Sequence, residues 1–359
     1  MIDSTMADLA AALRADGATA GAAMQQLWTQ VQAAAAAGGP DAPAAADAAL
    51  AGLAGLFEGL PPGRGSRLAV LAGAVVEAGA DPRPAVAPVV DGWLAAAALA
   101  TDFAERWKAA VRLAPPEPTD DPENFATVLD RLLRDGATDE ADAAAARTAT
   151  AAWFMLGQWT MALTTFLQRA AVRTDLPRRE EVEDALEALQ DVRYDLDYLV
   201  DLLRVLDDEE IVVVHRTSGR GWRLRIGGIG DNFQLHTLVA AALLSPVDDT
   251  LLPGNPPRPV EVAAATDGPL RPEGGMNARF HLVDGEGQWI WLEGVPADIP
   301  VVDGDRLVLL DPLPEPRTWE AGRQFVQMVP TVRVLGELSR DEAALKIFSV
   351  PEVTTPRQG

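Results

Sequence analysis

Ile211-Val212-Val213-Val214-His215-Arg216, then Thr217-Ser218-Gly219-Arg220-Gly221, then Trp222-Arg223-Leu224-Arg225-Ile226 form one continuous stretch, and its reading decides the fold. The first piece is rich in β-branched residues and predicts a strand. The second is a turn. The third alternates apolar with basic residues, as a half-buried strand does. Together they predict a β-hairpin. Before it the hydrophobic period is helical; over the last hundred residues it is that of strands.

Working outward toward the N-terminus, 53 of the 64 alanines lie in the first 200 residues, which favours helices there. Gly38-Gly39-Pro40, Pro61-Pro62-Gly63 and Asp81-Pro82-Arg83-Pro84 punctuate residues 1–113 into consecutive helices. Ala114-Pro115-Pro116-Glu117-Pro118 is a linker candidate. Helices are expected near 122–135, 138–171 and 179–206. In the second of these Trp153, Phe154, Leu156, Trp159, Leu163, Phe166 and Leu167 recur at three-and-four spacing, the mark of a core stripe. The third carries an apolar face, Val182, Leu186, Leu189, Val192, Leu196, Leu199 and Leu203, and is otherwise acidic.

Toward the C-terminus, Gly227-Gly228-Ile229-Gly230 leads to Asp231 or Asn232, either of which can cap a helix running to about Leu244. Ser245–Pro259 reads as a loop and a second boundary. Strands are expected at 260–264, 278–283, 288–293, 306–310, 324–329 and 331–335. Turns are expected at Asp284-Gly285-Glu286-Gly287 and Val302-Asp303-Gly304-Asp305. The last residues, Thr354–Gly359, are expected to fray. The fold class is therefore an α+β multidomain chain. An all-α stack spans 1–113, a helical bundle with a β-hairpin at 211–226 spans 119–245, and a small, mainly-β barrel or sandwich spans 258–350.

The stretch Leu68–Leu94, with Asp81-Pro82-Arg83 between two apolar helices, resembles a HEAT-like helical repeat over about one repeat. A full array would show a period of about 40 residues, and the chain has none, so the resemblance implies an irregular helical stack.

Composition narrows the function classes. The chain has 359 residues, 30 Lys+Arg against 53 Asp+Glu, a net charge of -23 and no cysteine. Disulfides, thiolate metal sites and a cysteine nucleophile are excluded. So negative a chain has no overall attraction to nucleic acid or to anionic membranes. Lysine occurs only at Lys108 and Lys346, a bias that reads with the alanines as a GC-rich bacterial genome. Met1-Ile2-Asp3-Ser4-Thr5 lacks a basic region before an apolar stretch, and the longest apolar runs, 68–76 and 93–100, fall short of a span. A cytoplasmic protein is expected.

No G-x-S-x-G, H-E-x-x-H, P-loop or EF-hand pattern occurs. The main candidate site is the hairpin together with the glycine run and helix start after it. Residues 211–230 hold four arginines and no acid, whereas residues 174–210 hold fourteen acids against four arginines. His215, Arg216, Arg223, Arg225, Asp231, Asn232 and His236 could form an anion site, with arginine forks, a Trp222 stacking face and a helix N-terminus. The bland alternative is pairing of these arginines with the acidic helix. Asp231 weakens the anion reading, because a carboxylate already sits where a phosphate would. The glycine run is not G-x-G-x-x-G. His215, His236 and His281 lie in separate elements with no convergent spacing, so no metal and no cofactor are expected. The acid pairs Asp191/Asp195 and Asp197/Asp201 share helix faces, but a solvated or arginine-paired face explains them. Trp289 and Trp291, two apart and near His281, form a last aromatic cluster that could pack or bind.

The leading functional expectation is an intracellular acidic interaction or scaffold protein with a basic protein partner. The alternative is an enzyme or small-anion binder with its site around 211–236, where the helical and β parts join. Nucleic-acid mimicry would also suit the charge. Direct nucleic-acid and membrane binding are disfavoured.

Overall fold

The computed structural model of the chain describes residues 2–15, 19–38, 41–119 and 121–351; the expected fraying of Thr354–Gly359 lies outside them. The chain is mixed α/β; among the described residues the N-terminal part is helical and every strand lies in the C-terminal part. It divides into two compact units, Met1–Leu202 and Leu203–Gly359. This division falls away from both expected linkers, at 114–118 and 245–259. Its physical reason is the hairpin, which pairs with strands more than 80 residues later and so belongs to the second unit.

The first unit contains α1 (Ile2–Arg14), α2 (Ala20–Ala37), α3 (Asp41–Ala54), α4 (Pro62–Glu77), α5 (Arg83–Val111), α6 (Pro122–Gly136), α7 (Glu140–Leu167), α8 (Ala170–Thr174) and α9 (Arg179–Leu189). The starts follow local chemistry. The Asp121 and Asp139 side chains accept from the backbone N–H of Glu123 and Asp142, and Pro122 occupies the first turn of α6. The α7 stripe is the core: Trp153, Leu156, Trp159, Leu163, Phe166 and Leu167 are all buried. It meets Trp93, Ala96, Ala97, Ala100 and Phe103 of α5, also buried, and the Trp93 indole N–H donates to Thr160. Glycine permits the closest approach. A Cβ at Gly65 or Gly92 would lie 2.5 or 2.2 Å from the Trp159 ring. Among the described residues, α5 is long and apolar enough to cross a membrane by length and composition; half of its most apolar window is buried inside the unit, as a core helix would be.

The expected single helix over 179–206 is broken. After α9 the chain turns, passes through a 3-10 turn (Tyr194–Leu196) and resumes as α10 (Asp197–Leu203). Arg193 causes the break. Its buried guanidinium forks onto Asp195 at 2.7 and 2.6 Å, donates to the Trp153 carbonyl at 2.7 Å, and lies 4.7 Å over the Trp153 ring. Asp191 and Asp195 therefore do not share a helix face.

The described residues of the second unit form the strands β1 (Glu209–His215), β2 (Arg220–Gly227), β3 (Leu244–Ser245), β4 (Leu252–Pro253), β5 (Met276–Asn277), β6 (His281–Asp284), β7 (Val301–Val302), β8 (Asp305–Asp311), β9 (Thr318–Trp319) and β10 (Thr331–Glu337). β1 and β2 form the expected antiparallel hairpin, with Val213 opposite Trp222. The sheet runs β10-β2-β1-β8-β6, with β7 also on β8, and β1–β8 is its parallel pair. In the turn between β7 and β8, Asp303 and Gly304 both have positive φ, as a tight hairpin of the Asp-Gly kind requires.

A closed barrel would require the outer strands to meet. Instead β10 and β6 are the two ends of an open sheet among the described residues. Helices cover its faces in place of a second sheet. Ile211, Val213, Trp222, Leu224, Ile226, Val308 and Leu310 pack with α11 (Asn232–Leu243). Val212, Val214, Leu307 and Leu309 pack with α13 (Arg340–Ser349) on the other face. Two-sided burial explains the unbroken apolar run of β1. Residues 260–264 belong to α12 (Pro259–Ala265), because Pro259 sits in the first turn and Glu261 bonds back to the Arg258 backbone. Residues 324–329 are irregular, and 288–293 contribute one bridge, Val283 to Trp289.

Candidate functional site

The hairpin arginines are placed by the pleat. In β2, Arg223 and Arg225 point to the face opposite Trp222 and Leu224, and Arg225 pairs in register with Glu210. Arg223 bonds to Glu210 at 2.9 Å and Asp305 at 3.3 Å; Arg225 lies 3.7 Å from both Asp208 and Glu210. Arg220 bonds to Glu337 at 2.6 Å, and Arg216 to Asp311 at 2.8 Å. Hydrogen bonding to Arg220 holds the Glu337 carboxyl below its usual range. At Asp305 burial acts to raise the pKa, but Lys346, 2.6 Å away, and Arg223 prevail and lower it. All these acids lie in the second unit, on neighbouring strands and the preceding turn, not on the acidic helix.

The remaining expected site residues lie elsewhere. Asp231 caps α11 through the Gln234 N–H at 2.7 Å. Buried Asn232 donates to the Trp291 carbonyl at 2.9 Å, tying the start of α11 to the 291–295 loop. His215 sits at the end of β1, its Nδ1 2.8 Å from the Ser218 hydroxyl. Buried His236 accepts at Nε2 from the Arg279 and Phe280 N–H groups at 3.1 and 3.2 Å. The seven residues thus divide between opposite faces of the sheet and do not converge. The glycine run serves packing: Gly228 has φ +65°, and a Cβ there would lie 2.9 Å from the Val329 carbonyl. Among the described residues no three His, Asp or Glu side chains gather as a metal site would need.

Burial first, then the nearby Arg279 charge, pushes His236 down to about 4. The folded state therefore holds it neutral, whereas the unfolded chain protonates it near 6.5. The unfolded state binds the extra proton, so stability is full above about pH 6.5 and falls as pH drops toward 4. Thermal melts over that window should show the decline, and His236→Gln should flatten it. An unchanged slope in the variant would place the titration elsewhere.

What does converge is the aromatic cluster. A pocket of about 350 Å³ is lined by Phe233, Trp289, Trp291, Trp319, Arg317 and Glu293, among others. Trp289 and Trp291 meet edge to face, with ring centroids 5.3 Å apart; Phe233 lies 5.3 Å from Trp319. Trp319 also meets the His236 ring edge-on at 4.9 Å. The Arg317 guanidinium lies 4.8 Å over Trp289, and among the described residues it has no ion pair of the kind that holds each hairpin arginine. The Trp319 Nε1 is buried and, among the described residues, has no hydrogen-bond partner. His281 stacks on Trp289 with its pKa lowered by burial and then by Arg317.

The tryptophan pair was visible in the sequence; Phe233, Glu293, Arg317 and Trp319 were not. Their signal is weak, a lone tryptophan and arginine within an irregular, proline-rich segment. No family model, no curated protein and no solved structure matches this chain.

Proposed function

We propose that the second unit binds a small planar anion in the aromatic pocket. The observation that carries this reading is the state of Arg317, a guanidinium stacked on Trp289 at the pocket and, among the described residues, free of any carboxylate partner. An aromatic carboxylate supplies what the lining lacks. Its ring offers a face to Phe233 and the tryptophans, and its charge pairs with the Arg317 fork. Glu293, exposed at the rim, accepts from a hydroxyl or amino substituent. The volume falls within the range of small-molecule sites.

Calorimetric titration with 2-naphthoate tests this. Saturable 1:1 binding is expected, weakened at least tenfold by Arg317→Ala. The doubly substituted R223A/R225A protein should bind as wild type does and be slightly less stable at low salt, by about 0–1 kcal/mol for each exposed pair. Absence of binding, or equal binding by R317A, would sink the proposal. Loss of binding in R223A/R225A would return the site to the hairpin.

A second reading is an intracellular, cytoplasmic scaffold: an irregular HEAT-like helical stack and an attached second unit, recruiting a basic protein through a surface of net charge -23. It is favoured by Leu345 and Phe348, three apart on α13 and 69% and 85% exposed. Capture of a cationic test protein should weaken steeply with ionic strength; salt-insensitive capture would contradict it.

A further inference from the structure

The helical unit holds a second ligand-sized cavity, unrelated to the aromatic pocket. It is a half-open trough of about 520 Å³, and its lining includes Met24, Leu99 and Met155 together with Arg64, Arg67 and Arg147. No acid lines it among the described residues. In a chain with 53 acids and 30 basic residues, three arginines and no acid among the described lining residues of one apolar trough is a local reversal of charge. The three are in different states. Arg64 is held in place, donating to the Leu13 carbonyl at 3.0 Å. Arg147 leans on exposed Glu140 at 3.1 Å, a pair that a ligand can replace at little cost. Arg67 is exposed and, among the described residues, makes no ion pair. Methionine lining adapts to a flexible apolar chain better than a rigid wall does.

We infer that this cavity takes a medium-chain fatty acid, with its acyl chain along Met24, Leu99 and Met155 and its carboxylate on Arg67 and Arg147. Charge complementarity selects the anionic head: guanidinium forks match a carboxylate. The apolar trough selects the tail, since each methylene removed from water adds to the affinity. A neutral or cationic head forgoes the first contribution.

The test is calorimetry on the full chain with dodecanoate, kept below its critical micelle concentration, beside dodecanol as the uncharged control. Saturable 1:1 binding of dodecanoate is expected, at least tenfold tighter than dodecanol. Arg67→Glu with Arg147→Glu should weaken dodecanoate at least tenfold and leave dodecanol unchanged. Gly21 also lines the cavity, and a Cβ there meets nothing within 4 Å. Gly21→Phe should therefore block both probes while far-UV circular dichroism stays helical. This variant keeps the proposal falsifiable if the charge reversal disturbs folding. Equal binding of the two probes, no binding of either, or binding untouched by Gly21→Phe would each overturn the inference.

Discussion

Trp153→Ala is expected to destabilise the helical unit by about 3–5 kcal/mol, the range for deleting a large buried aromatic. Trp153 is fully buried, and its ring centroid lies 5.0 Å from that of Phe103. Its indole N–H donates to the Pro116 carbonyl at 2.9 Å, which ties the 114–118 segment to α7. Its other face carries Arg193, whose charge is buried and depends on that packing. The substitution leaves a cavity, an orphaned carbonyl and a guanidinium with one wall missing. Denaturant titration monitored by circular dichroism at a helical wavelength would measure the loss. A change under about 1 kcal/mol would mean that the ring is not the keystone its burial implies.

Gly92→Leu is also expected to destabilise, for the opposite reason. A Cβ at Gly92 would approach three Trp159 ring atoms at 2.2, 2.4 and 2.8 Å, distances that packed carbon atoms do not reach. The ring also lies against Gly65, where a Cβ would come within 2.5 Å of it, and 5.7 Å from Phe57, so it has little room to swing away. Helix propensity alone would make Gly→Leu stabilising by up to about 1 kcal/mol; overpacking opposes it by about 1–3 kcal/mol or more. The sign of the net effect therefore discriminates. Gly92→Leu with Trp159→Ala should recover part of the loss, because the second change removes the atoms that clash. If G92L alone proves more stable than wild type, the close helix approach is wrong.

The elements that local chemistry dictates were readable from the sequence, and those set by tertiary partners were not. The hairpin at 211–226, the α7 stripe and the Asp231 cap each rest on neighbours within one or two turns. The break before Arg193 could not be read, because its cause is a carbonyl 40 residues away, on Trp153. Residues 260–264 looked like a strand by valine content; Pro259 and Glu261 decide otherwise. The sheet's openness follows from partners more than 80 residues apart in sequence, beyond any local period. The same limit governs the candidate site. Charge counting drew attention to the arginines that turn out to be paired. Charge that matters for a ligand is charge left without a partner, which only the three-dimensional arrangement reveals.

Replacing all nine tryptophans with 5-fluorotryptophan gives each ring its own reporter. Fluorine NMR during titration with 2-naphthoate then tests the pocket most directly. The resonances of Trp289, Trp291 and Trp319, assigned by single Trp→Phe substitutions, are expected to shift and saturate together, while those of Trp93, Trp107 and Trp153 stay fixed. A titration in which those three do not move, or in which rings of the helical core move instead, would contradict an aromatic-anion site in the second unit.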